Sequence, residues 1–186
     1  MTELSQSTRA TRTRRDIVEA AIEAWANDNA ASLGQVAEAA GVGRTTVNRY
    51  FSDRAQLVAA VDQECRGRFL AAVERARPED GPGLAALQRA CAEIAQLGPV
   101  LGLIFADNAL VDPDSWAEDG DPGALGSMVV RGQTDGSIAS DLPAEWVAIH
   151  VWTSLFGASL MLRSSTQTSS EVGQLLARTL ATGVAA

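Results

Sequence analysis

Between Arg44 and Arg49 the chain places two guanidinium groups, two hydroxyls and an amide within six residues: Arg44, Thr45, Thr46, Asn48 and Arg49. No acid interrupts them. These groups donate to phosphate oxygens and pair with base edges, so the chemistry on offer is recognition of a polyanion rather than bond-making. Catalytic groupings are missing elsewhere. The sole histidine, His150, has no second histidine or nearby cysteine to build a metal site or a nucleophilic triad. Cys65 and Cys91 lack a CxxC spacing and read as reduced thiols, and no glycine loop is shaped to cradle a phosphate. Neither an enzymatic activity nor a cofactor is expected.

The segment that must position those donors reads SLGQVAEAAGVGRTTVNRYFSDR over residues 32–54. Ser32 with Gln35 forms a capping box, and Leu33, Val36, Ala37 and Ala40 repeat at helical spacing. Gly41 follows the last apolar position, where a left-handed backbone suits glycine. A second short helix from about Arg44 turns Val47, Tyr50 and Phe51 inward. Two short helices around a glycine turn make a helix-turn-helix, whose second helix is shaped to enter a major groove. Upstream, Ile17, Ala20, Ala21, Ala24 and Trp25 give the apolar stripe of a helix over about 13–27. Downstream, Asp53 with Gln56 caps a long helix through Leu57, Val58, Val61, Phe69 and Val73.

Over residues 13–66 this arrangement resembles the DNA-binding domain of the TetR family of bacterial transcriptional repressors. The matching pieces are the apolar first helix, SLGQVAEAAGV as helix and turn, TTVNRYF as recognition helix, and SDRAQLV opening the fourth helix. The resemblance implies phosphate contacts from Ser32, Thr46 and Arg54, and base readout around Arg44, Thr45 and Arg49. Asn48 stands where that family usually has a phosphate-binding tyrosine, and its amide suits an adenine edge. Tyr50 stands where a histidine is common.

Charge agrees once it is divided. The whole chain carries −8, but residues 1–66 hold eight arginines against nine acids, while residues 67–186 hold seven against fourteen. The head's arginines cluster at 9–15 and at Arg44, Arg49 and Arg54, so a locally basic face can steer DNA binding on an acidic protein. Residues 1–12 are expected to be a flexible basic arm, and residues 13–60 the helix-turn-helix domain. Residues 1–16 have no apolar run of the kind a secretory signal needs, and a cytoplasmic setting is expected. No membrane span is expected either, because the longest apolar stretch, 146–162, is broken by His150, Thr153, Ser154 and Ser159.

Residues 61–186 read as an all-α ligand-binding and dimerisation domain. A loop at 78–83 precedes a helix with Leu84, Leu87, Ala90, Cys91, Ile94 and Ala95 on one face. Pro99 opens another, ending near Asn108. Residues 112–122, DPDSWAEDGDP, fail as a calcium loop because Trp116 and Ala117 take the places of a ligand and of the required glycine. A solvated loop is expected there, with Trp116 folded back onto apolar surface. A helix over about 124–133 and a turn at 134–137 lead to the most apolar helix, which runs to about Arg163. One side of it carries Trp146, Ile149, Thr153, Phe156 and Leu160, the other Val147, Val151, Leu155, Ala158 and Leu162. A helix apolar on two sides needs cover on two sides. Thr168 with Glu171 caps a last helix bearing Val172, Leu175, Leu176, Thr179 and Leu180.

The family resemblance implies that the last two helices pair with those of a second copy, and Leu155 and Leu176 are expected in that interface. The segment VVRGQTDGSIASDLP at 129–143 is also similar to one common in the family's C-terminal domain. A largely apolar pocket lined by Leu87, Cys91, Phe105, Met128, Trp146 and His150 is expected to take a small hydrophobic ligand. The expected function is a homodimeric repressor released from a double-stranded, palindromic operator by that ligand. Two alternatives remain open: a dimeric regulator with no small-molecule inducer, and an all-α small-molecule-binding domain whose helical hairpin is incidental.

Overall fold

The computed structural model describes residues 2–106, 110–112, 116 and 123–186, with side chains described from Arg9 onward. The described elements are α1 (Thr2–Asn27), α2 (Leu33–Ala39), α3 (Arg44–Tyr50), α4 (Arg54–Arg75), α5 (Gly83–Ala95), α6 (Pro99–Ile104), α7 (Gly123–Asp135), α8 (Ala144–Ser164) and α9 (Ser169–Val184). Helix boundaries follow local chemistry. Ser32 accepts from the Gln35 amide at 3.3 Å while the Gln35 side chain accepts from the Ser32 amide at 2.8 Å. Thr168 and Glu171 repeat the device at the start of α9, with bonds of 3.2 and 2.7 Å. Asp53 caps α4 by accepting from the Gln56 amide at 2.9 Å. That bond and the Ser52 hydroxyl hold its carboxyl below the usual aspartate range. Gly41, at φ +65°, makes the turn between α2 and α3.

Two boundaries differ from the sequence expectation. The first helix begins at Thr2 rather than near residue 13, so residues 2–12, expected as a flexible arm, continue α1 as helix. The helix opened by Pro99 stops at Ile104, short of the expected end near Asn108, a residue outside the described set. Most of the acidic loop at 112–122 also lies outside it. Trp116 within that loop does fold back: its ring lies 5.7 Å from Phe69, and its indole N–H donates to Asp62 at 3.1 Å.

In the head, α1 packs against α2 and α4 around fully buried Ile17, Trp25, Val36, Val47, Phe51 and Leu57. Helix α4 then runs without interruption across residue 60, where the head was expected to end. In the C-terminal part α5 is central, packing against α4, α7, α8 and α9. It can approach α7 closely because glycines meet there: a Cβ on Gly83 would lie 2.3 Å from the backbone nitrogen of Gly132. Asp135 and Ser137 cap the start of α5 from outside, accepting from the Gly83 and Leu84 amides at 2.7 and 3.1 Å. Arg89 fixes the preceding turn by donating to the carbonyls of Ala76, Arg77 and Asp80 at 2.6–3.0 Å. One continuous core joins head and bundle.

Candidate nucleic-acid interface and ligand core

Helix α3 buries one side chain completely, Val47, and half-buries Thr46 and Tyr50. The remaining faces point outward: Arg44, Thr45, Asn48 and Arg49 are all exposed, with no carboxylate on the helix. The Arg49 guanidinium lies 5.2 Å from the Tyr50 ring centroid, which restricts its swing while leaving its donors outward. Arg14 sits 5.1 Å over the ring of Phe51, bringing a further charge from α1 beside the end of α3. Ser32 is exposed, although its hydroxyl already serves the α2 cap.

Arg54, to which the resemblance assigns a phosphate contact, is engaged inside the head. Its guanidinium points back into the head, donating to the carbonyls of Ala31 and Asn29 at 2.6 and 2.8 Å and lying 4.6 Å over the Trp25 ring. Sequence position places a basic residue at a helix start; it does not reveal that two carbonyls of the α1–α2 turn lie within its reach.

The six expected ligand residues do not form one group. Leu87 and Cys91 on α5 and Met128 on α7 are buried core, and Phe105 is half-buried. Trp146 is corrected outright: it is 61% exposed, on the outward side of α8. Helical periodicity places it on a face with Ile149 and Phe156, and only tertiary packing decides which face turns in. His150 lies at the seam of α8 and α9, where a Cβ on Gly183 would come within 3.0 Å of Nε2. That nitrogen is buried without a hydrogen-bond partner among the described residues. Burial pushes the Cys65 and Cys91 thiols up to about 12, so both are poor nucleophiles and poor redox sensors.

What the helix faces concealed is a row of rings. Trp116, Phe69, Trp152, Phe105 and Phe156 follow one another with centroid separations of 5.7–5.9 Å, Phe69 and Trp152 nearly parallel at 11°. They come from α4, the end of α6, the loop after it and α8. The signal available in the sequence was scarcity. With only four Phe, four Trp and one Tyr in the chain, five rings gathered in one place are a feature, not background. Phe69 is buried, while Trp116, Trp152 and Phe105 are half-buried and Phe156 is exposed, so the row runs from core to surface.

The side of α8 that faces away from the core carries Trp146, Ile149, Phe156 and Leu160, all exposed, and Leu175 of α9 is exposed as well. The opposite side, with Val147, Val151, Leu155 and Ala158, is buried, as are Val172, Leu176 and Leu180 of α9. Leu155 and Leu176, expected between subunits, therefore belong to the chain's own core.

A helix-turn-helix with an acid-free recognition face, set on a helical bundle, defines a DNA-binding transcriptional regulator. Residues 16–61 match the family described as bacterial regulatory proteins, tetR family. The HTH-type transcriptional repressor LfrR of Mycolicibacterium smegmatis is 35% identical over 144 residues, covering 76% of this chain and 74% of LfrR. The chain belongs to the TetR family. It is thus a transcriptional regulator and not an enzyme. The crystal structure of LfrR from Mycobacterium smegmatis in complex with proflavine superposes with a TM-score of 0.71 at 29% identity, covering 95% of this chain and 98% of that one. A TetR family regulator from Marinobacter aquaeolei reaches 0.73 at 19% identity, covering 96% and 98%, a likeness of fold alone. Among the described residues no helix is long and apolar enough to cross a membrane, and no group of three or more candidate ligands could hold a metal ion.

Proposed function

We propose that this regulator is a homodimeric repressor that binds a palindromic operator and leaves it when a small, hydrophobic, ring-containing molecule enters the C-terminal bundle. The observation that carries the proposal is the aromatic row, because its buried member, Phe69, sits on α4, the helix that also holds the head. These rings touch one another, so a flat guest would have to part them, and it would then gain stacking and apolar burial from their faces. The similarity to a repressor, and to its complex with proflavine, supports the same reading. Arg44, Thr45 and Arg49 take base edges, Thr46 and Ser32 take phosphates, Asn48 takes an adenine edge, and Tyr50 backs Arg49. The paired helices α8 and α9 set the two recognition helices about 34–36 Å apart, or a multiple of that spacing.

A ligand releases the operator only through its differential affinity for the DNA-bound and free conformations. Proflavine is the first probe. Titrated into the protein alone it quenches tryptophan fluorescence, since Trp116 and Trp152 lie in the row. Titrated into the complex with the DNA flanking the protein's own coding region, it lowers fluorescence anisotropy of labelled operator. Release by metal ions or thiol oxidation, with no response to any hydrophobic ring compound, removes the ligand part of the proposal. Operator binding that no small molecule alters favours a regulator without an inducer.

A further inference from the structure

Arg54 begins α4 beside the recognition helix, where a cation would ordinarily be assigned to DNA. Its surroundings give it a different task. Two of its N–H groups fork onto the carbonyls of Ala31, at 2.6 Å, and Asn29, at 2.8 Å. One flat face of the guanidinium is covered by the Trp25 indole at 4.6 Å. Trp25 itself donates to the same Ala31 oxygen at 3.0 Å, so that carbonyl uses both lone pairs inside the head. Ala31 is buried and directly precedes Ser32, the cap of α2. A planar fork meets two carbonyls and a ring at once; an ammonium cannot.

We propose that Arg54 is a positioning residue: it clamps the α1–α2 turn and Trp25 to the start of α4, so that α2 and α3 travel with α4 as one body, and it does not contact phosphate. The recognition helix is held between two neighbours, α2 before it and the short link to α4 after it. Arg54 fixes the distance between those neighbours. A second clamp prevents α1 from pivoting about the first. Arg68, 14 residues along α4 and hence about 21 Å away, forms an ion pair with Glu19 of α1 and is braced by Glu64 at 2.8 Å. Two arginines on one face of α4 thereby hold α1 at two points. This inference rests on the chain binding DNA, which family membership supplies, and it concerns how the head is held rather than what releases it.

The test uses the full chain with R54K and R54A, read in two independent ways. Hydrogen exchange without DNA is expected to show the Ala31 amide, bonded to Asp28 at 2.9 Å, exchanging about tenfold faster or more in both variants. Operator binding over a salt series is expected to lose about tenfold or more in specific affinity for R54K. Non-specific affinity and the slope of log K against log salt are expected to stay at wild-type values. A phosphate contact gives the reverse pattern: exchange unchanged, R54K close to wild type, and a slope smaller by about one in R54A. That pattern overturns the clamp. Should R54A fail to fold, R54K alone decides, because it keeps the charge and loses the fork. If the wild-type chain binds no DNA, the DNA-binding reading fails while exchange still judges the clamp.

Discussion

Helices α3 and α8 each present more side chains than one core can take, and they differ in what is left over. On α3 the remainder is Arg44, Thr45, Asn48 and Arg49, all well hydrated. On α8 it is Trp146, Ile149, Phe156 and Leu160. Water satisfies the first surface, so α3 can stand free and bind reversibly. The second costs roughly 25 cal/mol for each Å² of apolar area left in water, so α8 calls for lasting cover. Under the proposed function, reversible binding and lasting assembly thus separate onto two helices.

The largest expected effect sharpens that contrast within α8 itself. Phe156→Glu or Leu160→Glu, on the outward side, yields a folded monomer that no longer holds its operator, seen by sedimentation and anisotropy. Leu155→Glu, on the inward side, buries an unpaired charge at a cost of several kcal/mol and gives no folded chain by circular dichroism. Identical behaviour of the two classes would erase the distinction between the faces. Gly83→Ala comes next. Its new methyl group meets the Gly132 backbone, and overpacking of this sort costs about 1–3 kcal/mol, read as a lowered thermal midpoint with the head's contacts untouched.

On the polar side, Arg44→Ala and Arg49→Ala should each weaken operator binding by about 1–3 kcal/mol and relax specificity, with no change in stability. Thr168→Ala removes the cap of α9 and should lower stability by about 1 kcal/mol, leaving DNA contacts alone. The smallest effect is pH dependence. Hydrogen bonds hold Asp53, Asp135 and Glu171 below their usual values of 3.8, 3.8 and 4.5. Because the folded values are depressed, their stabilisation is complete above those usual values and disappears as pH falls through the folded ones. Denaturant melts from pH 6 down to about 3 should show stability declining at the acid end, and Asp135→Asn should flatten part of the decline.

The parts of this architecture written in short-range code were legible. Ser32–Gln35, Asp53–Gln56 and Thr168–Glu171 are three or fewer residues apart, and each caps the helix it announces. The two-sidedness of α8 was also legible as a period. Which side turns inward was not, since that depends on α5, α7 and α9 packing against it, and Leu155, Leu176 and Trp146 were assigned to the wrong surroundings for that reason. The aromatic row draws on residues 69, 105, 116, 152 and 156, far apart in the chain, and no local pattern predicts their meeting. Arg54 illustrates the same limit: its identity as a cation is local, its carbonyl partners lie 23 and 25 residues earlier.

Helix α4 passes from the head into the bundle with no break, and that continuity makes it a lever arm. Fifteen residues separate Phe69, in the row of rings, from Arg54, and at helical rise they span about 22 Å. A guest that wedges the Phe69 end by a tilt of only about 5° swings the other end by about 2 Å at that length. Two heads swung in opposite senses change their separation by twice as much, about 4 Å, slightly more than the roughly 3.4 Å of one base-pair step. Under the proposed release mechanism, a small push near the core is read out as a register error on DNA.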